Sequence, residues 1–297
     1  MQVTATDDPL WPRASAWLTA GASHPRLAVL GVPAHLTSIS ATRADQTPDA
    51  IRAALARYST YSIEHDVDVA GLGVIDAGNV VEPDFAEGEV RVASAVAALP
   101  DHELLIALGG DNSITHSVMR GYFPDMSRAG LVTFDAHFDL RDGVSNGSPV
   151  RRLLEAGLSG SNVVQIGIAD FSNSREYAAR AREWGITVIT RGAMLHRPVE
   201  DVVAEALDIA GSAPAGVYVD IDVDVCDRSA VPACPASAPG GLSASDLRRA
   251  AFAVARDPRV RAMDLTEIDA SADAPDQRTV RLAALLVLEA AAGLLSR

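Results

Sequence analysis

The feature that most constrains this chain is a rhythm of short apolar runs rich in β-formers, separated by stretches of helical period. The runs are Leu27–Val32, Gly71–Asp76, Leu104–Leu108, Leu131–Phe134, Val163–Ile168, Thr187–Thr190, Val217–Ile221 and Arg261–Ile268. Between or after them lie Pro48–Tyr58, Glu89–Leu99, Ile114–Gly121, Pro149–Ala156, Arg175–Trp184, Val199–Ala210, Ala244–Ala255 and Thr279–Leu294. Strands and helices alternating at this spacing predict an α/β fold built on a mostly parallel sheet of eight strands. The runs are apolar almost throughout, as strands are when helices cover both faces of the sheet. Two helix starts carry local signals. Thr47-Pro48 offers an N-cap followed by proline in the first turn, and Ser243 precedes Ala244 with Asp246 three residues on.

Composition bounds the rest. With 297 residues, 48% of them hydrophobic and 22% charged, the chain can bury a large core. No Gly/Ser tract, charge block or internal repeat interrupts the rhythm, so a single domain over 1–297 is expected. No apolar stretch approaches the roughly 18–20 residues that span a bilayer. The first twenty residues carry Asp7, Asp8 and Pro12 where a secretory signal would have a basic start and an apolar run. Two cysteines, Cys226 and Cys234, make no disulfide framework and fit a reducing cytoplasm. A formal net charge of −14 argues against nucleic acid or anionic membrane as a partner.

Parallel α/β sheets bind ligands beyond the carboxyl ends of their strands, so the polar residues there matter most. After Leu104–Leu108 comes Gly109-Gly110-Asp111-Asn112-Ser113, a glycine turn that a helix cap explains as well as a site does. After Leu131–Phe134 comes Asp135-Ala136-His137-Phe138-Asp139. In extended backbone the two aspartates and the histidine would share one face. After Val217–Val219 comes Asp220-Ile221-Asp222-Val223-Asp224, with the same alternation. Two unit charges about 4 Å apart repel by about 4 kcal/mol at an effective dielectric near 20, so converging buried carboxylates need a counter-charge. A divalent cation supplies it. Oxygen-rich donors with one imidazole suit Mn²⁺ better than structural zinc, with iron, nickel or cobalt as substitutes. Two strand ends this acidic could hold two ions, and water on such an ion titrates near neutrality. The last run ends in Asp264-Leu265-Thr266-Glu267, where Glu267 could pair with a cationic substrate group or serve as a cap or surface pair.

Taken together, Gly109–Ser113, Asp135–Asp139, Asp222–Asp227 and Glu267 resemble the ureohydrolase family of arginases, agmatinases and formimidoylglutamases. The resemblance implies a three-layer αβα fold and a dinuclear manganese centre. Asp135 and Asp222 would bridge the ions, His137 and Asp224 would complete one site, and Asp139 would serve the other. One position departs from the pattern: Asn112 stands where the family usually has a ligating histidine. An amide oxygen donates less than imidazole, so this first site would be weaker or altered. His116, one helical turn on, is a conceivable replacement but reads better as structural.

A finer resemblance is to the formimidoylglutamases. It rests on Thr37-Ser38-Ile39-Ser40, Tyr58-Ser59-Thr60-Tyr61, Gln165-Ile166-Gly167-Ile168 with Phe171-Ser172-Asn173-Ser174, and Pro232-Ala233-Cys234-Pro235-Ala236 with Pro239-Gly240-Gly241-Leu242. It implies hydrolysis of N-formimidoyl-L-glutamate to glutamate and formamide in histidine degradation. Asp139 would relay a proton and Glu267 would stabilise the cationic nitrogens. Asn146, Ser148, Arg151 and Arg152 in the substrate loop would bind carboxylates, with one of the two arginines reading equally well as a solvated charge at the start of a helix. The family also implies a homo-oligomer, a trimer or hexamer. The rival readings are an amidinohydrolase releasing urea and a metal-poor, non-catalytic member of the family. A nucleotide-binding α/β protein is more distant, because Gly109-Gly110 lacks the glycine spacing of a dinucleotide turn.

Overall fold

The structure is a computed structural model that describes residue 8 and residues 10–297. Asp7 and the first residues of the expected 1–297 span lie outside the described residues. The sheet strands, in chain order, are β1 Leu27–Val32, β2 Val74–Asn79, β3 Leu104–Gly109, β4 Ala129–Phe134, β5 Val163–Ile168, β6 Thr187–Thr190, β7 Gly216–Asp222 and β8 Val260–Thr266. They lie in the order β2-β1-β3-β8-β7-β4-β5-β6, and every neighbouring pair is parallel. The helices are α1 Ala14–Thr19, α2 Thr47–Ala54, α3 Phe85–Ala97, α4 Ile114–Tyr122, α5 Pro149–Glu155, α6 Arg175–Glu183, α7 Val199–Ala210, α8 Ala244–Arg256 and α9 Arg278–Leu295. No described helix is long and apolar enough to cross a membrane.

Side chains alternate across a strand, and both faces of this sheet are apolar. In β3, Leu104, Ile106 and Leu108 join one core with α1, α2, α7, α8 and α9, while Leu105 and Ala107 join another with α3, α4, α5 and α6. Helix, sheet and helix thus form three layers, as the unbroken apolar runs required.

Several boundaries differ from expectation. The run expected at Gly71–Asp76 pairs from Val74 instead, because the Asp68 side chain accepts from Ala70 N and folds Val69–Gly71 into a 3₁₀ turn. Thr47 is not an N-cap. It lies inside α2, with Pro48 in the first turn as expected, and its hydroxyl donates to Ile268 O. Ser243 does cap α8, accepting from Asp246 N at 3.0 Å. Helix α1 and an antiparallel hairpin, Tyr61–Ser62 with Val67–Asp68, were not expected.

For the site, the sheet order is decisive. The four motifs follow β3, β8, β7 and β4, which are the four adjacent strands at the centre. Pairing of Leu108 with Leu265, Thr266 with Asp222, and Ile221 with Phe134 brings their carboxyl ends level. Residues more than 150 positions apart in sequence therefore meet in one crevice, at the place where such sheets bind ligands.

Candidate metal centre

The acids converge through turns and not through extended backbone. Strand β4 stops at Phe134, and Asp135 Oδ1 accepts from His137 N at 2.6 Å, bending the chain at once. At the end of β7, Asp222 Oδ1 likewise accepts from Asp224 N at 2.8 Å and starts the 3₁₀ turn Val223–Val225. Each first carboxylate fixes the backbone that presents the next ligand. The two turns are joined where Ala136 N donates to Asp224 Oδ1 at 2.9 Å, and His137 Nδ1 lies 2.7 Å from Asp224 Oδ2. Asp139 is reached with a left-handed backbone, φ 52°, and Glu267 with φ 64°. Non-glycine residues pay about 1–3 kcal/mol for such conformations, which cluster at functional sites.

One ligand atom each from Asp135, His137 and Asp224 lies within 4.8 Å of the others. Asp139 flanks this triad, its carboxyl meeting that of Asp135 and accepting from Asn112 Nδ2 at 2.6 Å. Asp222 is buried and close enough to feel the charges of Asp224 and Asp135. The electrostatics are those of a site built for a cation. Burial, then the charges of Asp139 and Asp224, push Asp135 well above the usual carboxylate range; burial and the charges of Asp224 and Asp135 do the same to Asp222. Burial lifts Asp139 to about 7. Burial alone would lower His137, yet its bond to Asp224 and the charges of Asp224, Asp139 and Asp222 raise it to about 9. Asp135 Oδ2 is buried with no hydrogen-bond partner among the described residues. Hard oxygen donors, one imidazole and an orphaned carboxylate oxygen suit a divalent ion such as manganese.

Glu267 is positioned from two sides. Its Oε1 accepts from Asn112 N at 2.7 Å and from Asn146 Nδ2 at 2.9 Å, and burial with the nearby charge of Asp111 raises it to about 8. The cap and surface-pair alternatives for this residue are thereby set aside. The glycine turn serves this geometry: a Cβ on Gly110 would lie 1.9 Å from Ala34 O.

Asn112 lies beside Asp139 as expected, and three expected substrate contacts need correction. Asn112 turns its amide NH₂, not its oxygen, toward Asp139; Oδ1 is taken by the hydroxyls of Thr115 and Thr266. Arg152 forms a two-pronged pair with Glu89 at 2.6 and 2.7 Å, and Arg151 binds Glu155 and the carbonyls of Arg141 and Gly143. Neither guanidinium is left for a substrate. Ser148 is fully buried and closes its own turn, bonding both N and O of Ser145. His116 sits with Glu89 as well, 3.4 Å away, which is the structural reading. The Glu89 carboxylate resists burial through His116 and Arg152, which hold it at about 2.

Other residues enter the site unannounced. Arg141 lies across Gly147, next to Asn146, where a Cβ on the glycine would meet the arginine Cδ at 2.8 Å. Its side chain is exposed and forms no ion pair among the described residues. The signal was its place two residues after Asp139. Asn173 clamps the ligand loop, accepting from Phe138 N and donating to Ala136 O, both at 2.9 Å, and Gln165 Nε2 donates to Phe138 O. Both belong to stretches singled out above only for their resemblance. Beside Asp224 and Ala136 a cavity of about 350 Å³ opens, walled by Phe171, Ser172, Arg191 and Gly240.

This fold and this crowd of acids define a class: the chain belongs to the arginase family, whose model matches residues 25–293. Within the family it is 36% identical over 270 residues to a formimidoylglutamase of Halalkalibacterium halodurans, covering 88% of this chain and 84% of that protein. The crystal structure of formimidoylglutamase from Bacillus subtilis superposes with a TM-score of 0.90 at 30% identity, covering 99% of this chain and 95% of that one. A structure of Trypanosoma cruzi formiminoglutamase with Mn²⁺ shares the fold, with a TM-score of 0.88 at 23% identity over 97% of this chain and 99% of that one.

Proposed function

We propose that this chain is a manganese-dependent formimidoylglutamase, a single arginase-like domain over 1–297 that hydrolyses N-formimidoyl-L-glutamate to L-glutamate and formamide. The observation that carries the reading is the meeting of Asp135, His137 and Asp224 beside the Asn146–Glu267 pair. The 36% identity to a formimidoylglutamase supplies the substrate class. Asp135, His137, Asp139, Asp222 and Asp224 would hold two ions. Bound manganese supplies a Lewis acid and an activated water at neutral pH.

The chain's own residues do the remaining work. Asp139, held by Asn112, would take a proton from the nucleophile and return it to the departing amino group. Glu267 Oε1 is fixed by two donors, which leaves Oε2 to meet the cationic amidinium nitrogens; that charge would favour the ionised carboxylate. Arg141 offers a planar fork to a substrate carboxylate, a two-bond match that lysine cannot make. We place the reaction in histidine degradation in the cytoplasm, where the free, buried Cys226 and Cys234 meet reducing conditions. We also propose a homo-oligomer, trimer or hexamer, which light scattering tests.

The deciding experiment offers the manganese-loaded protein N-formimidoyl-L-glutamate, agmatine and a panel of guanidino acids. Formamide and glutamate from the first, without urea from the others, is the expected outcome. Urea from a guanidino acid with no formamide would make it an amidinohydrolase. No turnover and no bound manganese would make it a non-catalytic member of the family.

A further inference from the structure

Glu267 takes its position from two donors that belong to two different helices. Asn112 N, at 2.7 Å, lies in the turn that opens α4, and Asn146 Nδ2, at 2.9 Å, in the loop that opens α5. Each donor is tied to its helix. Thr115 N donates to Asn112 O at 3.4 Å, and Ser148, the residue before α5, bonds both N and O of Ser145. About one helical turn beyond Asn112 stands His116, and about one turn beyond Ser148 stands Arg152. Both reach the same carboxylate, Glu89 of α3. Arg152 donates two bonds to it at 2.6 and 2.7 Å, and His116 Nδ1 lies 3.4 Å from its Oε2.

Around this junction the packing is apolar. Val118 and Met119 of α4 and Val150 and Leu153 of α5 belong to one buried cluster. Apolar burial is non-directional and does not by itself fix how one helix is set against another. A guanidinium fork on a carboxylate fixes both distance and angle. The junction is also shielded from water, since the side chains of Glu89, Arg152 and His116 keep only 19%, 15% and 7% of their exposure. Among the described residues the Glu89 carboxylate is bonded to these two partners alone, so its influence on the site runs through the helices.

We propose that Glu89 is a positioning residue for the reaction: from α3 it sets the spacing of α4 and α5 at which Asn112 and Asn146 both reach Glu267 Oε1. The inference rests on the reading that Glu267 meets the cationic nitrogens of the substrate. Without the Glu89 charge the helices stay packed, but the two donors no longer converge and Glu267 Oε2 loses its aim. A displacement of about 1 Å costs about a hundredfold in rate, so a smaller one shows in turnover while the fold persists. The loss falls on kcat. KM follows the hold of Arg141 on the substrate carboxylate, a residue that Glu89 does not bond.

Crystal structures and steady-state kinetics of Glu89→Gln test the proposal together. Arg152→Lys, which keeps the charge and loses the fork, is the milder variant and decides the matter if Glu89→Gln does not fold. The separation of Asn146 Nδ2 from Glu267 Oε1 is expected to open beyond about 3.5 Å, the limit of a hydrogen bond. At a temperature where the variant is fully folded, kcat is expected to fall about tenfold, with KM changed by less than about twofold. A loss of stability alone would move neither quantity. Glu89→Gln should also cost less in an Asn146→Ala background than in the wild type, because it acts partly through that side chain. An unchanged separation, an unchanged kcat in the folded variant, or full additivity with Asn146→Ala would overturn the proposal. A wild type that turns over no formimidoylglutamate would instead sink the reading of the reaction, and the crystallographic separation would still decide what Glu89 does.

Discussion

At the scale of single residues, sequence distance decided what could be read. Asp135, Asp222 and Asp224 were legible because acids crowded at strand ends in apolar surroundings are costly enough to demand a counter-charge, and His137 because it stands between two of the acids. Glu267 stayed open between a substrate partner and a cap. The partners of Asn112 and Arg152 were not legible. Thr266 is 154 positions from Asn112, and Glu89 is 63 from Arg152, so nothing local announces either contact. The two arginine roles separate cleanly in kinetics. Arg141→Ala should raise KM for the formimidoyl substrate by roughly 10–100-fold, the equivalent of about 1.5–3 kcal/mol for hydrogen bonds to a charged group. Arg152→Ala should leave KM alone and lower unfolding stability by about 2–3 kcal/mol, between the values for exposed and buried pairs. Steady-state kinetics and urea unfolding on the two variants check both statements. The reverse pattern would return Arg152 to the substrate.

Among elements, alternation and apolar runs fixed which segments are strands and helices, while hydrogen bonds from side chains fixed where they stop. Asp68, Asp135 and Asp222 each accept from the backbone N two residues on and end or delay a regular element. Such turns override the pattern, which is why the acids converge although the backbone between them is not extended. The loop carrying Ala136, His137 and Phe138 depends on one distant clamp, Asn173. Asn173→Ala removes a bond to Phe138 N and one to Ala136 O, loosening the ligand His137 from outside the coordinating set. Manganese affinity should fall about 10–100-fold, as for other outer supports of metal ligands, with global stability reduced far less. Calorimetry would show it. Unchanged affinity would mean that the loop is held by Asp135 and Asp224 alone.

Across the whole molecule, the eight-stranded parallel sheet was legible and its strand order was not, since local patterns carry no information on which strands are neighbours. That order is what stacks four acidic motifs in one crevice. The metal-free protein should carry the electrostatic cost as a pH dependence. Asp135, Asp139, Asp222 and Glu267 all have folded-state pKa values above their ordinary ones, so the folded state holds more protons than the unfolded and stability falls as pH rises, through about 7 for Asp139 and about 8 for Glu267. His137, raised to about 9, adds stability below its ordinary value near 6.5 that is lost as pH climbs through 9, in the same direction. Melting of the metal-free protein should therefore drop between pH 5.5 and 8.5, and manganese should restore it most at the alkaline end. A metal-free melting temperature that rises with pH would contradict this.

The most direct test is anomalous diffraction at the manganese edge from crystals grown with MnCl₂. Peaks are predicted within coordination distance of Asp135, His137 and Asp224, with Asp139 and Asp222 beside them. A well-ordered crystal in which these five side chains surround no anomalous peak would contradict the account at its centre.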